Sequence, residues 1–145
     1  MLHVVILLFF LVTATKTARK MDNLINGNWT NTLGSKVTLV AQSGLLQGEY
    51  QTAVVSNVEQ NELPDTTPLS GTYQVTDDGL LITFNVQWRF KDREGKLKQS
   101  TTTWAGKLYH KKPDSFSATW LLVSDASLAD GWGNTRVNVD TFTKV

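Results

Sequence analysis

Residues 82–90 read ITFNVQWRF, an alternation without a break. Phe84, Val86, Trp88 and Phe90 fall on one side of an extended chain, and Thr83, Asn85, Gln87 and Arg89 on the other. Successive side chains of a strand point to opposite faces, so this period of two predicts a strand with one buried face. The strand is expected near 80–90, and weaker versions of the pattern return near residues 27–32, 36–41, 46–54, 68–75, 98–109, 115–123 and 135–144. Turn-forming residues separate them: Gly34, Ser43-Gly44, Pro64-Asp65, Asp77-Asp78-Gly79, Arg93-Glu94-Gly95, Pro113-Asp114 and the stretch 125–134. No segment carries a 3.6-residue apolar stripe; near Leu128 there is room for a short turn of helix at most. Hairpin-linked strands at this spacing predict an all-β domain, an up-and-down barrel or a sandwich. An eight-stranded barrel has an interior that can just hold one small ligand.

Ahead of the strands stands MLHVVILLFFLVTATKTARK. Its apolar run from Val4 to Val12 is too short for a transmembrane helix, which needs about 20 residues. It fits the core of a secretory signal peptide, cleaved after Ala14 or Thr17, so that residues 1–17 are lost and the domain occupies 23–145. The competing reading, a buried N-terminal strand, conflicts with the abrupt change in composition. The expected product is secreted and extracellular. It has no cysteine, so its stability must come from the core, or from the core plus association, without disulfides. A net charge of +1 with 19% charged residues gives no electrostatic case for nucleic acid or membrane partners. The basic cluster Lys107, His110, Lys111, Lys112 precedes Pro113-Asp114 and reads as a solvated turn.

The parity fixed by residues 82–90 makes the other inward faces unusual. Trp29 shares its side with Asn31, and then with Leu33 and Ser35; Tyr50 shares its side with Thr52 and Val54. Ser100 and Thr102 go with Trp104, Trp120 with Leu122, and Asp140 with Phe142. A polar group buried without a partner costs about 1–3 kcal/mol, so each of these needs one. They could satisfy one another. Taken together with four tryptophans, they fit a ligand pocket with apolar walls and a few placed polar groups. Asp140 weighs most, since a buried carboxylate must be paired or strongly hydrogen-bonded. No basic residue shares these faces, so a ligand's donors are expected to meet it. Val137 and Val139 then point outward, near Trp132 in the DGWGN segment, and suggest a subunit contact.

An enzyme is not expected. The histidines are His3, in the leader, and His110, in a charged turn, which leaves a Ser-His-Asp triad without a base. There is no paired-carboxylate arrangement and no metal-ligand spacing, so neither a metal nor a cofactor is expected.

The segments GNWTNTLGS, GEYQTAV, TTTWAG, TWLLVS followed by GW, and the terminal DTFTKV together resemble the avidin and streptavidin family, in the family's order and over nearly the whole chain after the leader. The resemblance implies an eight-stranded antiparallel up-and-down barrel, assembled as a homotetramer, that binds biotin non-covalently and sequesters the vitamin, a role viewed as denying it to microbes. It casts Asn31, Ser35 and Tyr50 as donors to the ureido oxygen, the preorganised logic of an oxyanion hole. Asp140 and Thr52 become acceptors for the ureido N–H groups, and Thr102 approaches the thioether sulfur. Ser100 and the backbone at Ser56, with Asn57, meet the valeryl carboxylate. Trp88, Trp104 and Trp120 wall the bicyclic ring with Leu33, Val54 and Leu122. Trp132 lids the pocket of a neighbouring subunit, and Val137 and Val139 belong to the interface.

The chain departs from the family in its loops. The spacing from Trp88 to Trp104, through KDREGKLKQ, is longer than in streptavidin, and the segment after Val54 is long with a bulky Val55. Asn28-Trp29-Thr30 is an N-glycosylation sequon placed inside a strand, where access is poor, so it is expected to stay unmodified. Two other functions fit a barrel: a lipocalin-like carrier of another small ligand, with a largely apolar pocket, and an interaction module with a self-satisfied interior.

Overall fold

The computed structural model describes residues 20–54, 65–92 and 94–145. Its strands are β1 (Gly27–Asn31), β2 (Lys36–Gln42), β3 (Leu45–Gln51), β4 (Thr67–Thr76), β5 (Gly79–Lys91), β6 (Leu97–Tyr109), β7 (Ser115–Ser124) and β8 (Thr135–Lys144). Each pairs antiparallel with the next, and β8 returns to β1, which closes the sheet as an eight-stranded up-and-down barrel. Of the two architectures the strand spacing allows, this is the barrel.

Alternation decides what fills it. Along β5, Leu80, Ile82, Phe84 and Val86 are buried while Leu81, Thr83, Asn85 and Gln87 are exposed. Outside, the solvated faces are laced by cross-strand bonds such as Thr38 to Asn28 at 2.9 Å and Ser70 to Asn85 at 3.1 Å. Gly71 sits opposite Phe84, and a Cβ there would lie 1.9 Å from the Thr83 carbonyl oxygen. Only a glycine lets the two strands approach so closely.

The two ends of the barrel differ. On β7, Phe116 and Ala118 are buried, whereas Trp120 and Leu122 are half-buried; on β6, Leu108, Trp104 and Thr102 are buried and Ser100 is half-buried. The interior is therefore packed at the end where β8 finishes and opens progressively towards the other, the mouth. Phe90 shares the inward face of β5 by parity, yet is 45% exposed, because β4 pairs with β5 no further than Val86.

The packed end is closed by residues 20–25, a helical turn. Six residues are fewer than two helical turns, too few to show helical periodicity. Ile25 is fully buried, with Met21 and Leu24 packed against the same core. The turn is tied down from several strands. Tyr73 donates to the Asp22 carboxylate, the Trp29 indole donates to Ile25 O at 2.9 Å, and Lys144 Nζ donates to Leu24 O at 3.0 Å. His110 Nε2 lies 3.0 Å from Met21 Sδ.

The third strand is shorter than expected and stops at Gln51. The Thr52 hydroxyl accepts from Val54 N at 3.1 Å, a local side-chain turn that competes with the ladder. The short helix expected near Leu128 is a 3-10 helix, Leu128–Gly133. If the helical turn belongs to the core, Ile25→Ala should lower stability by about 2–4 kcal/mol. Urea unfolding checks this; an unmoved midpoint would make the turn an ornament.

Candidate ligand-binding site

The turn after β1 sets the geometry of the site. Asn31 N donates to Ser35 O at 3.0 Å and Gly34 N to Asn31 O at 2.9 Å, with Gly34 at φ +86°, a conformation natural to glycine. The Asn31 side-chain oxygen accepts from Leu33 N at 3.1 Å and Ser35 N at 2.8 Å. That fixes the amide: Oδ1 faces the turn, so Nδ2 must face the interior. It donates there to the Tyr50 hydroxyl and to Asp140 Oδ2, both at 3.1 Å. Asp140 Oδ2 also lies 3.4 Å from the Trp104 indole nitrogen.

The polar cluster continues around the barrel. Ser35 Oγ accepts from Ala53 N at 3.0 Å, which leaves its own proton available beside the Tyr50 phenol, whose ionisation it eases. Trp88 Nε1 donates to Thr102 Oγ1 at 2.8 Å, which leaves the threonine proton available. The aromatic wall is continuous. Trp104 stacks on Phe84 at 5.0 Å and on Tyr50 at 5.1 Å, and Trp88 meets Tyr50 edge-on at 5.4 Å. Burial, above all, pushes the Tyr50 phenol up to about 12, so it stays a protonated donor at physiological pH.

Among the described residues the buried polar side chains are Asn31, Ser35, Thr102 and Asp140, and each was expected inside. They converge on one site beneath the mouth, with Tyr50 and Trp104 as its floor and Trp88, Trp120, Ser100 and Leu122 half-buried nearer the rim. Asp140, where a ligand's donors are expected, also meets donors from within the barrel, the Asn31 amide and the Trp104 indole. Among the described residues no buried side-chain nitrogen or oxygen lacks a partner.

A family model for the avidin family matches residues 19–145. The chain belongs to the avidin family. It is 32% identical to the avidin of Gallus gallus over 152 aligned residues, covering all of this chain and 92% of that one. It is 30% identical to avidin-related protein 4/5 of the same organism, again covering all of this chain and 92% of that protein. Among solved structures it is similar to Xenavidin, with a TM-score of 0.67 and 31% identity over 83% of this chain and 97% of that one.

Several avidin-like positions lie at the edge of the site. Leu33 and Val54 are 59% and 58% exposed, on the turns that flank the mouth rather than packed into a wall. Thr52 sits just past β3, with its hydroxyl engaged locally. Ser56 and Asn57 lie outside the described residues. Trp132 is in the 3-10 helix beside β8. Val137 and Val139 face outward as expected, 62% and 56% exposed, with Leu121 directly across from Val137. Among the described residues no helix is long and apolar enough to cross a membrane, and no three His, Cys, Asp or Glu side chains gather as metal ligands. The Asn31–Asp140 bond, spanning 109 residues, is the feature sequence reading missed. Its signal was present, since closing an up-and-down barrel makes the first and last strands neighbours.

Tyr50 gives a pH signature. The unfolded phenol ionises near 10 and the folded one near 12, so its contribution to stability is complete below pH 10 and is lost as pH rises towards 12. The loss is on the order of 2–3 kcal/mol. Unfolding curves for the wild type and Tyr50→Phe between pH 9 and about 12 should diverge in that window; parallel curves would refute it.

Proposed function

We propose that this chain binds biotin non-covalently and serves as a secreted biotin-sequestering protein. One observation carries the reading: Asn31, Ser35, Tyr50, Thr102 and Asp140 converge beneath the mouth of a closed barrel and share their site with tryptophans. The family resemblance supplies the ligand that suits such a set.

A ureido group presents one oxygen and two N–H groups. Three donors surround one place in this site: the Asn31 amide, the Ser35 hydroxyl and the Tyr50 phenol. Asp140 stands beside them as a charged acceptor, with the stronger hydrogen bonds such a group makes. Donors held in place before the ligand arrives need little reorganisation when it does. Thr102 then meets the thioether, and Ser100 the carboxylate nearer the rim. Trp88, Trp104, Trp120 and Leu122 enclose the rings, with Thr52, Leu33, Val54, Ser56 and Asn57 closing from the mouth. A lipocalin-like carrier of an apolar ligand would have little use for five polar groups at its floor.

The N-terminal apolar run supports secretion. The exposed Val137 and Val139, beside Leu121, support assembly into the family's homotetramer, in which Trp132 would cover a neighbour's pocket. Denial of the vitamin to microbes is the role that fits a secreted biotin binder.

Calorimetric titration with biotin, run beside light scattering, tests ligand and assembly together. The expected result is one biotin per chain on a tetramer; the absence of binding would sink the reading. Asp140→Ala should release biotin about 10–100 times faster, as the loss of a charged hydrogen bond implies, and an unchanged rate would remove its role. Trp132→Lys should weaken both assembly and retention, and the shared pocket fails as an idea if neither changes.

A further inference from the structure

β5 and β6 are each 13 residues long, and they outrun their neighbours at the mouth. β4 accompanies β5 only to Leu69 opposite Val86, and β7 accompanies β6 only to Ser124 opposite Ser100. Beyond those points the two strands pair with each other, Arg89 with Gln99, Phe90 with Lys98 and Lys91 with Leu97, and the chain after β7 adds one bond, from Asp125 N to Gln99 O. The result is a two-stranded ribbon extending past the rim. Its turn is well tied: Asp92 Oδ1 accepts from Glu94 N at 3.0 Å and from Lys96 N at 2.8 Å.

The ribbon has two unlike faces. On the outer one the Arg89 guanidinium donates to the Gln99 amide oxygen at 3.0 and 3.2 Å, once that amide is turned to face it. The inner face continues from Trp88 and Ser100 to Phe90 and Lys98, and here the Phe90 ring is only half covered. A cavity of about 280 Å³ opens at this point, lined by Phe90, Asp92, Lys98, Ser100, Ser124 and Asp125 among others. It adjoins the biotin site through Ser100.

The charges in this cavity do not balance. Lys98 Nζ lies 3.7 Å from Asp92 Oδ2, and the Lys96 backbone N–H, with weaker help from Lys98, holds the Asp92 carboxyl below its usual range. These two offset each other. Among the described residues no side chain meets the Asp125 carboxylate; its backbone N–H is held 2.8 Å from Gln99 O. Ser124 Oγ already donates to Asn134 O at 3.1 Å, so towards the cavity it can only accept.

We propose that the ribbon and the β7 rim form a second subsite for whatever is attached to the carboxyl end of biotin, and that it takes an amide-linked alkylammonium chain, as a singly acylated alkyl diamine presents, in preference to the free acid. This rests on the biotin reading of the main site. An amide has the N–H that Ser124 can accept, and a carboxylate lacks it. The alkyl segment covers the Phe90 ring, which otherwise stays wet. The terminal ammonium reaches Asp125, which repels a carboxylate. The subsite therefore favours biotin joined to one end of an alkyl diamine over the free vitamin.

Dissociation rates of biotin, biotin N-methylamide and biotin 5-aminopentylamide test this. In the wild type the aminopentylamide should leave at least about threefold more slowly than the N-methylamide, the scale of one partly exposed charge pair. Added salt should narrow the gap. Asp125→Asn should remove its salt-dependent part and slow biotin's own release by up to about twofold, as the repulsion of its carboxylate is lifted, and Phe90→Ser should remove the remainder with biotin's rate unchanged, since the binding set is untouched. Equal rates for the two amides in the wild type, or a gap that survives both substitutions, would overturn the subsite and leave the biotin reading standing. Failure to bind any of the three would overturn both.

Discussion

Closure of the sheet between its first and last strands is the constraint on which everything else depends. The seam is short: Trp29 faces Lys144, Thr30 faces Thr143 and Asn31 faces Phe142. It is reinforced at the packed end, where Val145 N donates to Asn28 O at 2.9 Å and the Lys144 ammonium lies over the Trp29 ring at 5.2 Å. Without this seam β1 and β8 would be exposed edges, with unpaired backbone groups open to other chains. With it, Asn31 and Asp140 face each other inside, and the polar cluster exists. Fold and site share one covalently distant contact.

That contact also explains how a polar cluster survives inside a cysteine-free barrel. Each member uses one hydrogen-bonding function to stay in place and keeps another for use. Asn31 spends its oxygen on the turn and directs its N–H groups inward. Ser35 accepts from the backbone and retains a proton, and Thr102 accepts from Trp88 and retains one. A ligand that enters replaces some internal bonds like for like, so its affinity is a difference between two well-bonded states. The gain comes from apolar ring surface removed from water against the tryptophans, and from donors that need not move.

Much of this was legible in the sequence, for an identifiable reason. Strand parity depends only on alternation, so a single strong strand such as β5 fixes the inward set, and closure then brings those faces together. Asn31, Tyr50, Thr102 and Asp140 face inward as read, because a period of two leaves no freedom, whereas Ser35 is buried by the turn that follows β1. The misreadings lie where alternation stops deciding. Phe90 obeys the parity but lies beyond the partner strand that would bury it. Thr52 follows the strand pattern while its hydroxyl captures a backbone N–H and ends the strand. The helical residues 20–25 span fewer than two turns, too few to show a repeat, and their role comes from Ile25 filling an end that the strands leave open. Asp140's donors could not be read either, because an asparagine amide and an indole are not recognisable as counter-groups to a carboxylate until the strands are placed in a ring.

The path of the chain through the barrel has a directional outcome. The helical turn that precedes β1 and the last residues of β8 lie together at the packed end, tied by Lys144 to Leu24. The mouth, with its ribbon and its turns, is at the opposite pole. A surface, a matrix or a second protein coupled through either end of this domain therefore sits behind the molecule, and the opening looks away from it. Such a barrel is an oriented receptacle, and immobilising it by its ends leaves its opening free.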